Sequence, residues 1–255
     1  KNSREEQHFQ VSYAPMKTDN WQLEHPLDAV IFDCDGTLSK LEGINELAQQ
    51  NGVGETIESL TEKAMSQTGV TSDLYAQRIN LVKPTREQVQ RLGQDYYYER
   101  VLDIEHVIAV LHHLNKPIYI ISAGINPAVK IFAQLLELRV DHVYAVDATF
   151  DDVGNYTGYD ATSPLTNVGG KCEVIRQIHT QHQRVAHVGD GMNDLEARDV
   201  VERFIGFCGV YYRESIAAGS DFYIKSSSML TLLPKFLLSG LQALEEDAVL
   251  KGIDR

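Results

Sequence analysis

The sequence AVIFDCDGT at residues 29–37 decides the fold, because an apolar run there leads directly into an acidic turn. A short run rich in strand-forming residues and bounded by turn residues predicts a buried β-strand. Asp33 and Asp35 lie two positions apart at the exit of that strand and can point to the same side. Mg²⁺ in proteins takes one or two carboxylates together with waters and substrate phosphate. The stretch therefore favours a site for a metal and a phosphate. Its other interpretation is an acidic turn that only ends the strand.

Residues 41–102 show helical patterns and no strand pattern. Helical spacing recurs in three stretches, 44–48, 57–65 and 74–81. Pro84 sits in the first turn of a further helix that runs towards Tyr98. The sequence therefore predicts an all-helical insert directly after the first strand. The three consecutive tyrosines at 96–98 are interpreted as half-buried helix surface, with the lining of a pocket as the alternative.

Strands and helices alternate along the rest of the chain. Strand patterns cover residues 117–121, 142–146, 185–188, 204–207 and 222–224. Helical patterns cover residues 104–114, 127–138, 171–180 and 194–198, and another helical pattern begins after Ser228. Residues 150–159 alternate between apolar and polar around a Gly-Asn pair, as in a β-hairpin. This alternation predicts an α/β fold, a doubly wound parallel sheet with helices on both faces. Ligands of such sheets bind outside the carboxyl ends of the strands, so the loops at that edge are the functional candidates.

Three more polar clusters follow predicted strands at this edge. Residues 122–124 (SAG) offer a hydroxyl and backbone N–H groups beside a helix start, which suits an anion. Residues 169–171 (GGK) place a lysine at a helix N-terminus, where the helix dipole disfavours a cation unless an anion lies nearby. Residues 189–194 (GDGMND) add two acids and an amide in a glycine-rich turn. Alone, the first two clusters are more often ordinary helix starts. Together, the four clusters supply acids for a metal and groups for a phosphate.

This ordered set resembles the haloacid dehalogenase superfamily of aspartate-nucleophile phosphatases, and the helical insert resembles the cap domain that this superfamily carries in its first position. Further stretches narrow the resemblance to phosphoserine phosphatases: 42–48 (EGINELA), 76–79 with Arg78, 84–89 (PTREQV), 158–160 (GYD), 169–171 and 204–207 (FIGF). The resemblance covers residues 29–225. It implies a catalytic core of residues 29–40 and 103–240, a helical cap of residues 41–102, an N-terminal extension of residues 1–28 and a C-terminal tail of residues 241–255.

The resemblance also implies roles for the polar residues of these motifs. Asp33 attacks phosphorus and forms an aspartyl-phosphate, while Asp35 protonates the leaving serine oxygen and then deprotonates the attacking water. Mg²⁺ is held by Asp33, the carbonyl of Asp35 and Asp190, with Asp194 ordering the groups around them. The substrate is bound by the remaining residues: Ser122, the Ala123 N–H, Lys171 and Asn193 on the phosphate, Glu42 on the ammonium and Arg78 on the carboxylate. Ala123 stands where the family usually has Gly, which narrows the pocket by a methyl group.

Composition excludes several classes of function. The chain has 255 residues with 36 Asp and Glu against 23 Lys and Arg, a formal charge of −13. We therefore expect no non-specific nucleic-acid binding, which needs a basic footprint, and no docking on an anionic membrane. Three well-separated cysteines without a CxxC motif indicate free thiols in a reducing compartment. With no signal-like segment and no apolar run of about 18 residues, the predicted location is the cytoplasm.

The sequence leaves two alternatives to a phosphoserine phosphatase. In the first, the same chemistry acts on another small phosphate monoester, or an alcohol replaces water and the protein is a phosphotransferase. In the second, the protein is a phosphate- or metal-binding regulator without catalysis, although the intact acids count against it. The sequence does not determine the oligomeric state.

Overall fold

The computed structural model describes residues 23, 25–63 and 70–236. Most of the predicted N-terminal extension, the last four residues of the predicted core and the predicted tail 241–255 lie outside these residues. The strands are β1 Ala29–Phe32, β2 Ile118–Ile125, β3 Val143–Val146, β4 Ala148–Phe150, β5 Tyr156–Tyr159, β6 Val185–Gly189, β7 Arg203–Phe207 and β8 Phe222–Ile224. Six of them form one sheet in the order β3-β2-β1-β6-β7-β8. All neighbouring pairs in it are parallel, which confirms the predicted α/β sheet.

The helices fall into two groups. Between β1 and β2 the chain forms α1 Gly43–Gln50, α2 Gly54–Lys63, α3 Ser72–Val82, α4 Arg86–Tyr98 and α5 Ile104–His113. Beyond β2 it forms α6 Asn126–Leu135, α7 Gly170–Ile178, α8 Met192–Leu195, α9 Glu214–Gly219 and α10 Leu233–Phe236. The predicted helix after Pro84 begins with a capping box, in which the Thr85 hydroxyl and the Gln88 side chain satisfy each other's backbone N–H groups.

The centre of the sheet is fully buried. Every residue of β1, β6 and β7 is buried, as expected for parallel strands covered by helices on both faces. In the register of β1 against β6, Phe32 lies beside Val188, and the Asp33 N–H donates to the Val188 carbonyl at 2.9 Å. Because the two strands end at the same level, the acidic motifs that follow them meet at one edge of the sheet.

Two of the predicted boundaries that differ from the structure lie at the carboxyl edge of the sheet. The second strand does not end at residue 121: β2 continues to Ile125, with an irregular register between Ile121 and Ile125 before pairing with β3 resumes. The cluster 122–124 therefore lies in the last residues of a strand rather than after it. The helix predicted at residues 194–198 begins earlier as α8 and is followed by a separate 3₁₀ turn, Arg198–Val200.

The insert of helices α1–α4 packs onto the core through α4 and α6. The rings of Tyr96 on α4 and Phe132 on α6 lie 5.6 Å apart. The predicted hairpin is present as the antiparallel pair β4–β5, and Arg86 of α4 donates to the Asp151 carbonyl in its turn at 2.8 Å. These contacts hold the insert beside the carboxyl ends of β1 and β2. Within the described part of the chain, no helix is both long enough and apolar enough to cross a membrane.

Candidate active site

Asp33 lies at the exit of β1 and is 3% exposed. Its Oδ1 accepts a hydrogen bond from the Cys34 N–H at 2.8 Å and an ion pair from Lys171 Nζ at 2.8 Å. Lys171 lies in the first turn of α7, where the helix dipole disfavours a cation unless an anion is nearby. In the structure that anion is the Asp33 carboxylate. Both described contacts of Asp33 involve Oδ1, so Oδ2 is the oxygen left open to a ligand.

Asp194 holds Lys171 from the other side. Lys171 Nζ donates to Asp194 Oδ1 at 2.5 Å, and His187 Nε2 donates to the same oxygen at 2.8 Å, since a carboxylate can only accept. The Gly191 N–H donates to Asp194 Oδ2 at 3.1 Å. Lys171 therefore bridges two buried carboxylates, and His187, on β6, is a partner that the sequence reasoning did not identify.

The electrostatics of this group follow from burial and close charges. Burial raises the pKa of Asp33 well above its ordinary value, the Asp194 carboxylate raises it further, and Lys171 only partly opposes this. Burial also disfavours a charged Asp194, but Lys171 and His187 outweigh it and lower the pKa of that carboxyl. Burial alone would lower the pKa of Lys171, yet Asp194 and Asp33 raise it above its usual value. Lys171 is therefore a permanent cation at neutral pH.

Asp190 follows β6 and faces the loop after β1. The Thr37 hydroxyl donates to its Oδ1 at 3.3 Å, and Arg213 Nη1 donates to its Oδ2 and, at 3.2 Å, to its carbonyl. Gly36 permits this approach, because its φ is +67° and an added Cβ would lie 2.5 Å from Asp190 Oδ2. Burial raises the pKa of Asp190 to about 6, with Arg213 partly offsetting that rise.

Three carboxylates at this edge fit a cation. Asp33, Asp190 and Asp194 are all buried, and one oxygen from each lies within 4.8 Å of the others. Oxygen donors of this kind suit a hard divalent metal. Both oxygens of Asp194 accept from protein donors, and so do both oxygens of Asp190, from Thr37 and Arg213. Among the described residues, the contacts of Asp33 involve only Oδ1, so its Oδ2 is the oxygen of the three carboxylates that is most open to a metal. The side chain of Asp35 is not part of this cluster. Only the backbone carbonyl of Asp35 was predicted from the sequence as a metal ligand.

Asp35 points instead towards the helical insert. Its Oδ1 accepts from the Tyr96 hydroxyl at 2.6 Å and from the Gly43 N–H at 2.7 Å. Its Oδ2 accepts from the Ser122 hydroxyl at 3.2 Å. The interpretation of Tyr96 as half-buried helix surface is wrong, because this side chain is only 1% exposed whereas Tyr98 is 74% exposed. Burial, and then the charge of Asp35, raises the pKa of Tyr96, so it remains a donor.

A cavity opens in front of these carboxylates, between the sheet edge and the insert. Charged and polar residues line one part of the cavity, and apolar residues form the wall of the other part. The lining includes Asp33, Asp35, Glu42, Arg78, Ala123, Gly124 and Asn193, and the wall includes Val70, Tyr75, Ile79 and Leu92.

Glu42 and Arg78 are 8% and 7% exposed. Burial and then the Asp35 charge raise the pKa of Glu42, with Arg213 and Arg78 opposing them. Arg78 Nη1 donates to the Thr61 hydroxyl at 3.3 Å. Glu42 Oε1 and Arg78 Nε have no hydrogen-bond partner among the described residues. A buried polar atom without a hydrogen-bond partner is costly, so the cavity offers one acceptor and one donor to a ligand.

The structure brings all the sequence-predicted site residues into one connected region. Six line the cavity, namely Asp33, Asp35, Glu42, Arg78, Ala123 and Asn193. The other four contact the cavity acids or lie beside them: Ser122 on Asp35, Lys171 and Asp194 next to Asp33, and Asp190 in the carboxylate cluster. The sequence reasoning gave no role to Thr37, His187 and Arg213, and it gave Tyr96 a place in a pocket only as the alternative. Thr37 closes the acidic motif after β1, and the run of tyrosines at 96–98 was the signal for Tyr96.

Comparison with known proteins gives consistent similarities. A family model described as haloacid dehalogenase-like hydrolase matches residues 30–198. The chain is 34% identical over 199 residues to a phosphoserine phosphatase of Bos taurus, covering 77% of this chain and 88% of that one. It is 31% identical over 216 residues to a chloroplastic phosphoserine phosphatase of Arabidopsis thaliana, covering 83% and 73%. Its fold is similar to that of a substrate-bound phosphoserine phosphatase complex, with a TM-score of 0.72, 23% identity and coverage of 82% and 98%.

Proposed function

This chain belongs to the haloacid dehalogenase-like hydrolases and to the phosphoserine phosphatase family among them, and from that premise we propose that it hydrolyses O-phosphoserine to serine and inorganic phosphate. The family confirms the resemblance drawn from the motifs and makes the protein a phosphoric monoester hydrolase. The observation that carries the proposed substrate is the cavity itself. It combines the acidic pair Asp33 and Asp35 with the oppositely charged pair Glu42 and Arg78.

The proposed reaction has two steps. In the first, Asp33 Oδ2 forms a bond to phosphorus as the bond between phosphorus and the serine oxygen breaks. The electron pair stays with that oxygen, which takes a proton from Asp35. In the second, a water oxygen bonds to phosphorus, its proton passes to Asp35, and the bond to Asp33 breaks so that the carboxylate is regenerated. Dividing hydrolysis through a covalent intermediate replaces one difficult step with two easier ones.

Positive charge must offset the repulsion between a carboxylate and a phosphate dianion. Lys171, whose Nζ lies 2.8 Å from Asp33 Oδ1, supplies a fixed positive charge beside the oxygen Oδ2 that bonds to phosphorus. The Ser122 hydroxyl, the Ala123 N–H and Asn193 supply hydrogen bonds for the phosphate oxygens. Asn193 Oδ1 is buried without a partner among the described residues; this oxygen can accept from a water, while the Nδ2 group of the same amide is the one that can donate to a phosphate oxygen.

We assign the metal site to Asp33, the Asp35 carbonyl and Asp190, with Mg²⁺ as the ion. The family is metal-dependent, and the buried carboxylates within 4.8 Å of one another provide the oxygen donors that Mg²⁺ prefers. When bound, the ion lowers the negative charge of the phosphate and of the carboxylates that surround it. Asp194 is assigned to holding Lys171 rather than the metal.

Substrate recognition is assigned to the two unpaired groups of the insert. Glu42 Oε1 accepts from the ammonium of phosphoserine, and Arg78 donates to its carboxylate. The guanidinium is suited to this because its planar fork binds a carboxylate with two parallel hydrogen bonds. On this basis we propose that residues 41–102 act as a cap that selects the substrate, while residues 29–40 and 103–240 form the core that performs the chemistry.

A substrate panel measured with and without chelator tests the proposal. We expect Mg²⁺-dependent release of phosphate from phosphoserine with a much higher kcat/KM than from phosphoethanolamine, which lacks the carboxylate. Equal turnover of the two would remove the role assigned to Arg78. Partitioning of the aspartyl-phosphate to added alcohols would favour the phosphotransferase alternative. Absence of Mg²⁺-dependent hydrolysis across a broad panel would favour the regulator.

We also propose that the enzyme works in the cytoplasm. Cys34, Cys172 and Cys208 are free thiols, as expected in a reducing compartment. Since the relative from Arabidopsis thaliana is named chloroplastic, the compartment is tested directly by fractionation of the cells that produce the protein. Recovery in the cytosolic fraction is the expected result.

A further inference from the structure

A hydroxyl group from the helical insert contacts the carboxylate assigned to proton transfer. The Tyr96 hydroxyl lies 2.6 Å from Asp35 Oδ1, a distance typical of a strong hydrogen bond to a carboxylate. The Gly43 N–H donates to the same oxygen at 2.7 Å. The other oxygen, Oδ2, has the longer 3.2 Å contact with the rotatable Ser122 hydroxyl. The two oxygens of Asp35 are therefore in different environments.

The position of the Tyr96 hydroxyl is fixed by packing. The side chain is 1% exposed, and its ring lies 5.6 Å from Phe132 on the core helix α6. A Cβ added to Gly43 would lie 2.0 Å from the Tyr96 oxygen, so only glycine leaves room for the hydroxyl there. These contacts hold the hydroxyl against both the insert and the core.

We propose that Tyr96 is a positioning residue that orients Asp35 so that Oδ2 alone exchanges protons with the substrate. This inference rests on the proposed function. With Oδ1 occupied by two donors, Oδ2 gives its proton to the serine oxygen as the bond from that oxygen to phosphorus breaks. Oδ2 then takes a proton from the attacking water as the bond from phosphorus to Asp33 breaks. Tyr96 itself neither gains nor loses a proton in either step.

The inference is tested by Tyr96→Phe, which removes the hydroxyl and keeps the ring. Phosphoserine and acetyl phosphate are compared as substrates, because the serine alkoxide needs a proton to leave and acetate does not. We expect kcat with phosphoserine to fall by about 10-fold to 100-fold, the loss typical of one hydrogen bond to a charged group. We expect KM to stay within about twofold, since the phosphate contacts are intact, and kcat/KM with acetyl phosphate to stay near the wild-type value.

Tyr98→Phe is the matched control, since it removes a hydroxyl from the same helix on a side chain that is 74% exposed. A second measurement, the Kd of the phosphonate analogue of phosphoserine, should be the same for Tyr96→Phe and wild type. An unchanged kcat would overturn the inference. So would an equal loss of kcat/KM with both phosphates, or weaker binding of the phosphonate, because those results indicate a structural role. A wild-type protein that does not hydrolyse phosphoserine refutes the proposed function instead, before any variant is compared.

Discussion

Replacing Lys171 with methionine removes the charge that joins the two buried carboxylates. The substitution keeps much of the volume of the side chain, so the main change is electrostatic. Lys171 Nζ lies 2.8 Å from Asp33 Oδ1 and 2.5 Å from Asp194 Oδ1, and its side chain is 2% exposed. Without it, Asp33 and Asp194 face each other with no cation between them. Because Lys171 opposes the rise in the pKa of Asp33, its loss raises that pKa further and favours the protonated form of the proposed nucleophile.

The size of the effect follows from these distances. At an effective dielectric constant of about 20, each ion pair amounts to about 6 kcal/mol of Coulomb attraction. The cost of desolvating the charges offsets much of this, and removing one partner of a buried pair typically costs about 3–5 kcal/mol. If that loss falls on the transition state, kcat decreases by about 100-fold or more. Activity of the variant should recover partly as the pH is raised and Asp33 loses its proton.

The assay is phosphate release from phosphoserine, with trapping of the phosphorylated enzyme as a second readout. Lys116→Met is the control, because Lys116 Nζ also donates a hydrogen bond, at 2.8 Å to the Leu27 carbonyl, but in a partly buried position at the opposite ends of the strands. That variant should keep wild-type kcat. A Lys171→Met enzyme that retains a tenth or more of the wild-type kcat, or that accumulates phosphoenzyme at the normal rate, would refute the reasoning.

Four further predictions test other contacts. Arg78→Ala should lower kcat/KM for phosphoserine by about 2–5 kcal/mol of transition-state binding and leave phosphoethanolamine nearly unaffected; an equal loss for both would contradict its role. His187→Leu should destabilise the protein by about 1.5–3 kcal/mol in urea unfolding, and His187→Gln, which keeps a donor, by less. Gly36→Ala should raise the Mg²⁺ concentration needed for activity, because the new Cβ meets Asp190 Oδ2 at 2.5 Å in left-handed backbone; an unchanged Mg²⁺ requirement would show that the loop can move aside. In chelator, the free energy of unfolding should fall as the pH rises through about 6, since the pKa of Asp190 is raised from 3.8 in the folded protein, which corresponds to about 3 kcal/mol. A metal-free protein whose stability is flat or rising from pH 4 to 7.5 would contradict it.

The sequence by itself determined the sheet and the edge that carries the chemistry. The apolar run of β1 is four residues long and fully buried, a pattern visible without coordinates because a central parallel strand is apolar on both faces. The acidic motif after it and the GDGMND loop after β6 could be placed together because parallel strands end at one edge. The roles proposed for Glu42 and Arg78 came from resemblance, since each is locally an ordinary charged helix residue.

Only the tertiary structure decided which side chains complete these motifs. Tyr96 reaches Asp35 across 61 positions of the chain, and Arg213 reaches Asp190 across 23. No local pattern encodes either contact, because helix periodicity tells which face is buried but not which polar atom that face will meet. The surroundings of His187 illustrate the same limit: its place on β6 predicts burial, while its bond to Asp194 depends on how the following turn folds back over the strand. The local sequence pattern thus determines the strands and helices and the edge of the sheet at which the polar motifs meet. The packing of distant segments determines the hydrogen bonds and charge pairs at that edge.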